Sequence, residues 1–215
     1  MRILDLCCKA GGASMGYHRA FPDAEIVGVD IDPQPRYPFE FVQADALTFD
    51  LSGFDFIAAS PPCQLFTVYR NNHKQSFKPV LNLIPQIRER LQASGVPYVI
   101  ENVPKAPLIN PIRLCGTSFP PLEVRRHRLF ECSFPVAPPP CDHGRLTERK
   151  YPGSTNRPNG RTVCNVGEYR VPLHLQRIAM DIDWMTLEEI AEAIPPAYTE
   201  FIGRQLAALL ESRAA

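Results

Sequence analysis

A cysteine and a glutamate, each at the end of an apolar run, suggest covalent chemistry on an aromatic ring. Cys63 stands in the run ASPPCQ, where two prolines stiffen the turn, and Glu101 ends the run PYVIE. A thiol adds slowly to C6 of a cytosine ring until N3 is protonated or hydrogen-bonded, and a nearby carboxylic acid could supply that proton. The addition turns C5 into a carbon nucleophile that can take a methyl group from a sulfonium donor. A lone cysteine is more often a small buried thiol, so the interpretation depends on the pair.

Two arginines form a third candidate element. Arg126 and Arg128 open a further predicted strand, in the run RRHRLFE. A guanidinium there could hydrogen-bond a base carbonyl and stabilise developing negative charge. An Arg-x-Arg pair is also typical of a solvated strand face.

A glycine-containing turn and two acids describe a nucleoside site. The turn DLCCKAGGASMG lies between a predicted strand and a helix, and Gly11 and Gly12 let its backbone approach a ligand closely. Asp30 ends the second predicted strand, where a carboxylate can accept bonds from ribose hydroxyls. Asp45 follows the third strand and could accept from an adenine amine. Together they predict an adenosine-shaped site, with a dinucleotide as the competing ligand.

These residues require a parallel sheet to bring them together. Short apolar runs alternate with helical patterns over the first hundred residues, which is typical of βαβ units. The sequence predicts strands at 2–6, 25–30, 39–42, 54–59, 97–101, 112–114 and 129–132. It predicts helices at 14–21 and 78–93, a helical pattern from Thr186 to a break at Pro195-Pro196, and a helix at 197–212. Because parallel strands present their carboxyl ends at one edge, the candidate residues are expected on a common rim.

In order and spacing, the motifs DLCCKAGG, GVDID, SPPCQ, ENV and RRHRLFE resemble those of DNA cytosine-C5 methyltransferases, in a compact form like that of phage or solitary prokaryotic enzymes. The resemblance implies an α/β fold, a Rossmann-like S-adenosylmethionine-dependent methyltransferase sheet with helices on both faces. It implies S-adenosylmethionine as cofactor and DNA, with a flipped cytosine, as partner. The implied catalytic residues are Cys63, Glu101, Arg126 and Arg128. The implied cofactor-binding residues are Asp5, Cys7, Gly11, Gly12, Asp30, Ile31, Asp45, Ala46 and Pro61.

The same resemblance implies a division of the chain. Residues 1–131 would form the catalytic and cofactor-binding core, 132–185 a reduced, irregular target-recognition segment, and 186–215 a helical segment that returns to the core. Residues 65–78 match the loop that closes over the flipped base. The sequence departs from the family pattern at four sites: Lys9 replaces a glycine, Ser60-Pro61 a glycine pair, Val124 a glutamine, and Ala191-Glu192 a glycine-asparagine pair.

Composition sets further expectations. Lys+Arg and Asp+Glu both number 23, so any phosphate-binding face must come from a local excess, such as the arginines and lysine of 141–170. No long apolar run or signal sequence is evident, which predicts a cytoplasmic protein with free thiols. Cys132, Cys141, His143 and Cys164 could in principle bind zinc, but they lack the close CxxC spacing of strong sites, and no metal is predicted.

Three alternatives stay open at this point. An amino-methyltransferase acting on N4 of cytosine or N6 of adenine would share the SPP turn but needs neither Cys63 nor Glu101. A catalytically silent nucleic-acid-binding module could keep the fold. The C5 chemistry could also act on RNA or a free nucleotide, because fold alone does not determine the substrate.

Overall fold

A computed structural model describes residues 1–67, 81–144 and 164–214 of the chain. In this part, seven strands form one sheet in the order β3-β2-β1-β4-β5-β7-β6. The strands are β1 (Arg2–Leu6), β2 (Glu25–Asp30), β3 (Glu40–Gln43), β4 (Phe56–Ala59), β5 (Tyr98–Asn102), β6 (Ile112–Leu114) and β7 (Arg128–Cys132). The five strands β1 to β5 are parallel, whereas β7 runs antiparallel to both β5 and β6.

In the described ranges, five α-helices cover the two faces of the sheet. They are α1 (Gly12–Ala20), α2 (Ile84–Ser94), α3 (Leu173–Met180), α4 (Leu187–Glu192) and α5 (Pro196–Ala214). Alternation along β1 shows how the strands serve both faces: Ile3 packs in the core with α1 and α5, whereas Leu4 and Leu6 pack in the core with α2. The predicted α/β, Rossmann-like sheet with helices on both faces is therefore confirmed.

The predicted strands all form, with ends shifted by at most two residues. Of the predicted helix at 78–93, the part that can be compared begins at Ile84 and ends at Ser94. Helix α3 was not predicted. It lies inside the segment 132–185, which was expected to be irregular, yet Ala179 and Met180 are buried in the core shared with α1 and α5.

The later part of the segment 132–185 contributes buried residues. Cys164, Val171 and Ile182 pack in the same hydrophobic core as the first strands. The division of the chain at residues 131 and 185 stays a prediction. Among the described residues, no helix is both long and apolar enough to cross a membrane.

Candidate active site

The carboxyl ends of the parallel strands form one rim, and the candidate residues follow them. The loop from Cys7 to Gly11 joins β1 to α1 at this rim. The residues of the SPPCQ turn follow β4, and Glu101 and Asn102 end β5. Strand pairing fixes this arrangement, because Leu6 is registered with Ala59, and Ala59 with Ile100.

The loop from Cys7 to Gly11, called the cofactor loop because the sequence predicts that it binds the cofactor, is held in a tight conformation by its own backbone and by Asp30. Cys7, Lys9 and Gly11 all have positive φ angles, of 57°, 47° and 81°. The Lys9 amide donates to Asp30 Oδ2 at 3.1 Å, and Trp184 Nε1 donates to the Ala10 carbonyl at 2.8 Å. Lys9 thus takes a left-handed conformation at a position where the resembled family has glycine. The bond to Asp30 helps stabilise that conformation.

Gly12 has a packing role at the start of α1. A Cβ atom on Gly12 would lie 2.5 Å from the Ile194 carbonyl oxygen. The glycine therefore allows the segment between α4 and α5 to lie directly against the loop. Gly11, by contrast, faces the ring of Tyr37 and the side chain of Pro38.

Asp5 lies beneath this loop as a buried carboxyl group. It is fully buried, Ser14 Oγ donates to its Oδ2, and Tyr37 OH donates to Ser14 Oγ at 2.8 Å. Its Oδ1 accepts no hydrogen bond from the described residues. Burial raises the pKa of Asp5 to about 7, against the opposing effect of the Ser14 hydrogen bond. Asp5 thus supports the loop from below.

The predicted adenosine-binding residues lie at the ends of β2 and β3. Asp30 is buried and also accepts from the Asp32 amide at 3.1 Å. Ile31 is 66% exposed, an apolar side chain at the rim that a flat base could cover. Asp45 is exposed and accepts from the Leu47 amide at 2.8 Å, so it forms the turn after β3. Ala46 is buried there.

The turn that carries Cys63 is tied to the end of β5 by Asn102. The Asn102 amide donates to the Pro61 carbonyl at 2.9 Å, and its Oδ1 accepts from the Val103 amide at 2.9 Å. The Cys63 carbonyl accepts from the Phe66 amide at 2.9 Å. Sequence reasoning missed this role of Asn102, although the Glu-Asn-Val motif contained the residue.

Glu101, Arg128 and Cys63 form one electrostatic group. Arg128 Nε lies 3.0 Å from Glu101 Oε1, but the angle is not that of a hydrogen bond, and Oε1 accepts none from the described residues. Burial raises the pKa of Glu101, and the charges of Arg128 and Arg126 oppose that rise. A larger fraction of Glu101 is therefore protonated than for an exposed glutamate, which suits a proton donor.

Cys63 is half-buried, and burial together with the charge of Glu101 raises the pKa of its thiol, with Arg128 opposing. The sequence suggested that a nearby cation would raise the thiolate fraction. The cation, Arg128, is present but is outweighed by burial and by the charge of Glu101. A neutral Glu101 removes one of the causes that raise the pKa of Cys63, so protonation of Glu101 and ionisation of Cys63 favour each other.

Arg126 takes a different position from Arg128. Its Nη2 donates to the Ala191 carbonyl at 2.6 Å, and Tyr198 OH donates to the Arg126 carbonyl. Burial, followed by the charge of Arg128, lowers the pKa of Arg126 to about 9. Its guanidinium therefore stays charged at neutral pH and links the rim to the segment before α5.

Three of the four predicted catalytic side chains line one cleft. Cys63, Glu101 and Arg128 line it together with the cofactor loop and, from the C-terminal part of the chain, Glu192 and Ile194. Of the predicted cofactor residues, Cys7, Gly12 and Pro61 line this cleft. The other predicted cofactor residues do not line it: Asp5, Gly11, Asp30, Ile31, Asp45 and Ala46. Arg126 does not line it either.

Several supporting residues gave no clear signal in the sequence. Ser14 and Tyr37 hold Asp5, Trp184 holds the cofactor loop, and Tyr198 holds the arginine segment. Most of the predicted closing loop 65–78, and most of the basic residues of 141–170, lie outside the described residues.

Comparison with known proteins bears on the fold. No family model and no curated protein matches this chain. The methyltransferase EhMeth of Entamoeba histolytica is similar in structure, with 12% identity, a TM-score of 0.59, and coverage of 100% of this chain and 99% of that chain. The fold is that of an α/β methyltransferase. The plantazolicin methyltransferase BpumL, solved with SAH, gives 18% identity and a TM-score of 0.34; 48% of this chain aligns with it and spans only 39% of its length.

Proposed function

We propose that this protein, which has an α/β methyltransferase fold, transfers a methyl group from S-adenosylmethionine to C5 of cytosine in DNA through a covalent bond between Cys63 Sγ and C6. The observation that carries the proposal is the convergence of Cys63, Glu101 and Arg128 in one cleft beside the cofactor loop. A thiol, a buried acid with a raised pKa and a guanidinium are the groups that C5 chemistry requires. The order of the sequence motifs supports DNA as the substrate.

S-adenosylmethionine fits the residues at the rim. The loop from Cys7 to Gly12, except Gly11, lines the cleft. Asp30 can accept from ribose hydroxyls, and Ile31 offers an exposed apolar surface to a base. When bound there, the cofactor supplies an electrophilic methyl group. Cys7 lines the same cleft, but burial raises the pKa of its thiol to about 12. Cys7 therefore stays neutral, and Cys63 is the nucleophile.

The steps follow from the positions of the side chains. The Cys63 thiolate bonds to C6 while the Glu101 carboxyl hydrogen-bonds or protonates N3, and the C5=C6 electrons become available at C5. C5 takes the methyl group as the sulfonium S–CH3 bond breaks and leaves a neutral thioether. A base then removes the C5 proton, the electrons of the C5–H bond re-form C5=C6, and the C6–S bond breaks to release Cys63 as a thiolate while N3 returns its proton to Glu101. Arg128 stabilises the Glu101 carboxylate once its proton has gone.

The test combines product analysis with trapping of the covalent bond. Purified protein is incubated with S-adenosylmethionine and mixed-sequence duplex DNA, and the nucleosides are analysed by mass spectrometry. We expect 5-methylcytosine from the wild-type protein, none from Cys63→Ser, and an unchanged amount from Cys132→Ser, which alters a half-buried thiol in β7. DNA with 5-fluorocytosine, which has no C5 proton to lose, should form a denaturation-resistant complex that requires Cys63.

Other outcomes would contradict the proposal in different ways. N4-methylcytosine or N6-methyladenine, unaffected by Cys63→Ser, would assign the cleft to amino-group methylation. Cofactor binding without methylation of DNA would favour a silent binding module, or an RNA or nucleotide substrate, which the same assay tests with those substrates. Glu101→Gln, which keeps the size but cannot give up a proton, should reduce the rate by roughly 10²–10⁴-fold, the usual contribution of a general acid.

A further inference from the structure

Two cysteines and two histidines that the proposed reaction does not use lie together beside the outer strands of the sheet. Cys115 directly follows β6, and His127 directly precedes β7. Because β6 and β7 are antiparallel with Leu114 registered against Arg128, one further step along both chains puts Cys115 opposite His127. Cys141 and His143 come from the segment after β7.

The separations between these side chains are those of a metal tetrahedron. The four ligand atoms all lie within 4.8 Å of one another. The two Nε2 atoms of His127 and His143 are 3.3 Å apart, and the two measured sulfur-to-nitrogen distances, Cys115–His143 and Cys141–His127, are both 3.6 Å. Tetrahedral zinc, with bonds of about 2.3 Å to sulfur and about 2.0–2.1 Å to nitrogen, requires edges of about 3.3 Å (N–N) and about 3.6 Å (S–N).

We propose that Cys115, His127, Cys141 and His143 bind one zinc ion. Two thiolates and two neutral imidazoles balance the charge of Zn²⁺, which suits a site whose ligands range from buried Cys115 to exposed His143. Four protein ligands complete a tetrahedron and leave no open position, so the site is structural and not catalytic. The sequence had suggested Cys141 and His143 as ligands, but with Cys132 and Cys164 as their partners, which are not members of this cluster.

Neighbouring polar groups orient the ligands, as is usual around bound zinc. Thr117 Oγ1 donates to Cys115 Sγ at 3.1 Å, and Arg125 Nη2 donates to the His143 carbonyl at 2.8 Å. Ser118 Oγ donates to the carbonyl of Pro140, next to Cys141, at 2.7 Å. The Ser118 bond joins the 3-10 turn at 116–118 to the later segment, and the Arg125 bond joins that segment to the residues before β7.

The position of the site gives it a role in the molecule. His127 lies between Arg126, which holds the Ala191 carbonyl, and Arg128, which pairs with Glu101. A metal at His127 fixes the backbone from which both arginines extend, and ties it to the segment at 141–143. The zinc inference rests on the four ligands alone and stands whether or not the chain methylates DNA.

The experiment is to measure the metal content of protein purified without a histidine tag from zinc-supplemented cells. Inductively coupled plasma mass spectrometry should find about one zinc per chain in the wild-type protein. Cys141→Ser and His143→Ala should lose nearly all of it, whereas the matched control Cys132→Ser should keep it. Wild-type protein without zinc, a different metal bound at one per chain, or a Cys141→Ser variant with full zinc content would overturn the proposal.

A second measurement keeps the test valid if the ligand variants do not fold. Wild-type protein is stripped with a chelator and loaded with Co²⁺, which is spectroscopically visible in tetrahedral sites. We expect d–d absorption bands in the visible range and a thiolate charge-transfer band, both lost on adding Zn²⁺. A spectrum with the weak d–d bands of octahedral Co²⁺ and without a thiolate charge-transfer band would contradict the assignment. Neither measurement depends on methylation, so failure here and failure of the proposed reaction are distinguishable.

Discussion

The buried carboxyl group of Asp5 should destabilise the ligand-free protein as the pH rises, and Asp5→Asn should remove this effect. Asp5 is fully buried, the Ser14 hydroxyl donates to its Oδ2, and its Oδ1 has no hydrogen-bond partner among the described residues. Burial is the largest cause of its raised pKa, and the charges of Asp30 and Glu101 add to it. The folded protein therefore favours the neutral acid.

The magnitude follows from the two pKa values. The carboxyl group ionises near its ordinary value of 3.8 in the unfolded chain and near about 7 in the folded protein. Between these values the unfolded state binds fewer protons than the folded state, so stability falls as the pH rises through this window and levels off above about 7. At 1.36 kcal/mol for each pKa unit, the full cost is about 4 kcal/mol.

Urea unfolding of wild-type protein and Asp5→Asn, from about pH 4.5 to about pH 8.5, measures this cost. Relative to the wild type, the free energy of unfolding of the variant should rise by up to about 1.4 kcal/mol per pH unit below pH 7 and should not rise further above it. The side-chain amide introduced at position 5 finds no acceptor there, which lowers the free energy of unfolding of the variant by about 1–3 kcal/mol at every pH. A control, Asp23→Asn at an exposed position, should stay within about 0.5 kcal/mol of the wild type. A gain from Asp5→Asn that is equal at both ends of the pH range would refute the reasoning.

Three further predictions concern packing and positioning. Arg88→Met should lower the free energy of unfolding by about 3–5 kcal/mol, measured in urea, because it leaves Glu131 buried without the guanidinium that now lies 2.7 Å from both carboxylate oxygens. Gly16→Ala should cost about 1–3 kcal/mol in the same assay, since its Cβ would lie within 2.0 Å of a side-chain oxygen of α5, whereas Gly144→Ala meets nothing closer than 3.4 Å and should cost much less. Asn102→Ala should reduce the methylation rate while far-UV circular dichroism stays unchanged, because the turn before the nucleophile loses the amide that holds it; an unchanged rate would show that the bond does not position Cys63.

The sheet could be predicted from the sequence because its apolar runs are short and bounded by polar residues. Strands β1, β2, β4 and β5 are buried on both faces, and each is followed at once by a candidate residue or loop. Because parallel strands end at the same edge of a sheet, the ends of these strands can be assigned to one rim from the sequence, and no tertiary contact has to be known. This is why Cys63 and Glu101 were identified as neighbours although 37 residues separate them in the chain.

The supporting contacts could not be predicted, because they join parts of the chain that no local pattern relates. Trp184 reaches the Ala10 carbonyl across 174 residues, and Tyr198 reaches Arg126 across 72. Helix α3 has only eight residues, fewer than the roughly 11–18 over which a helical period can be recognised in a sequence. The Cys–His cluster needed the β6–β7 register, which brings Cys115 opposite His127 and leaves Cys132 in the strand itself.

The predicted role of the arginines depended on a strand direction that the sequence does not encode. Arg128 stands at the start of β7, and the start of a strand parallel to β5 would lie at the edge opposite Glu101. Because β7 runs antiparallel, with Asn102 registered against Leu129, the residues that enter β7 lie beside the residues that leave β5. The reversal therefore brings a cation to a rim otherwise supplied by strand ends, and it places His127, directly before that cation, within reach of the second half of the Cys–His cluster.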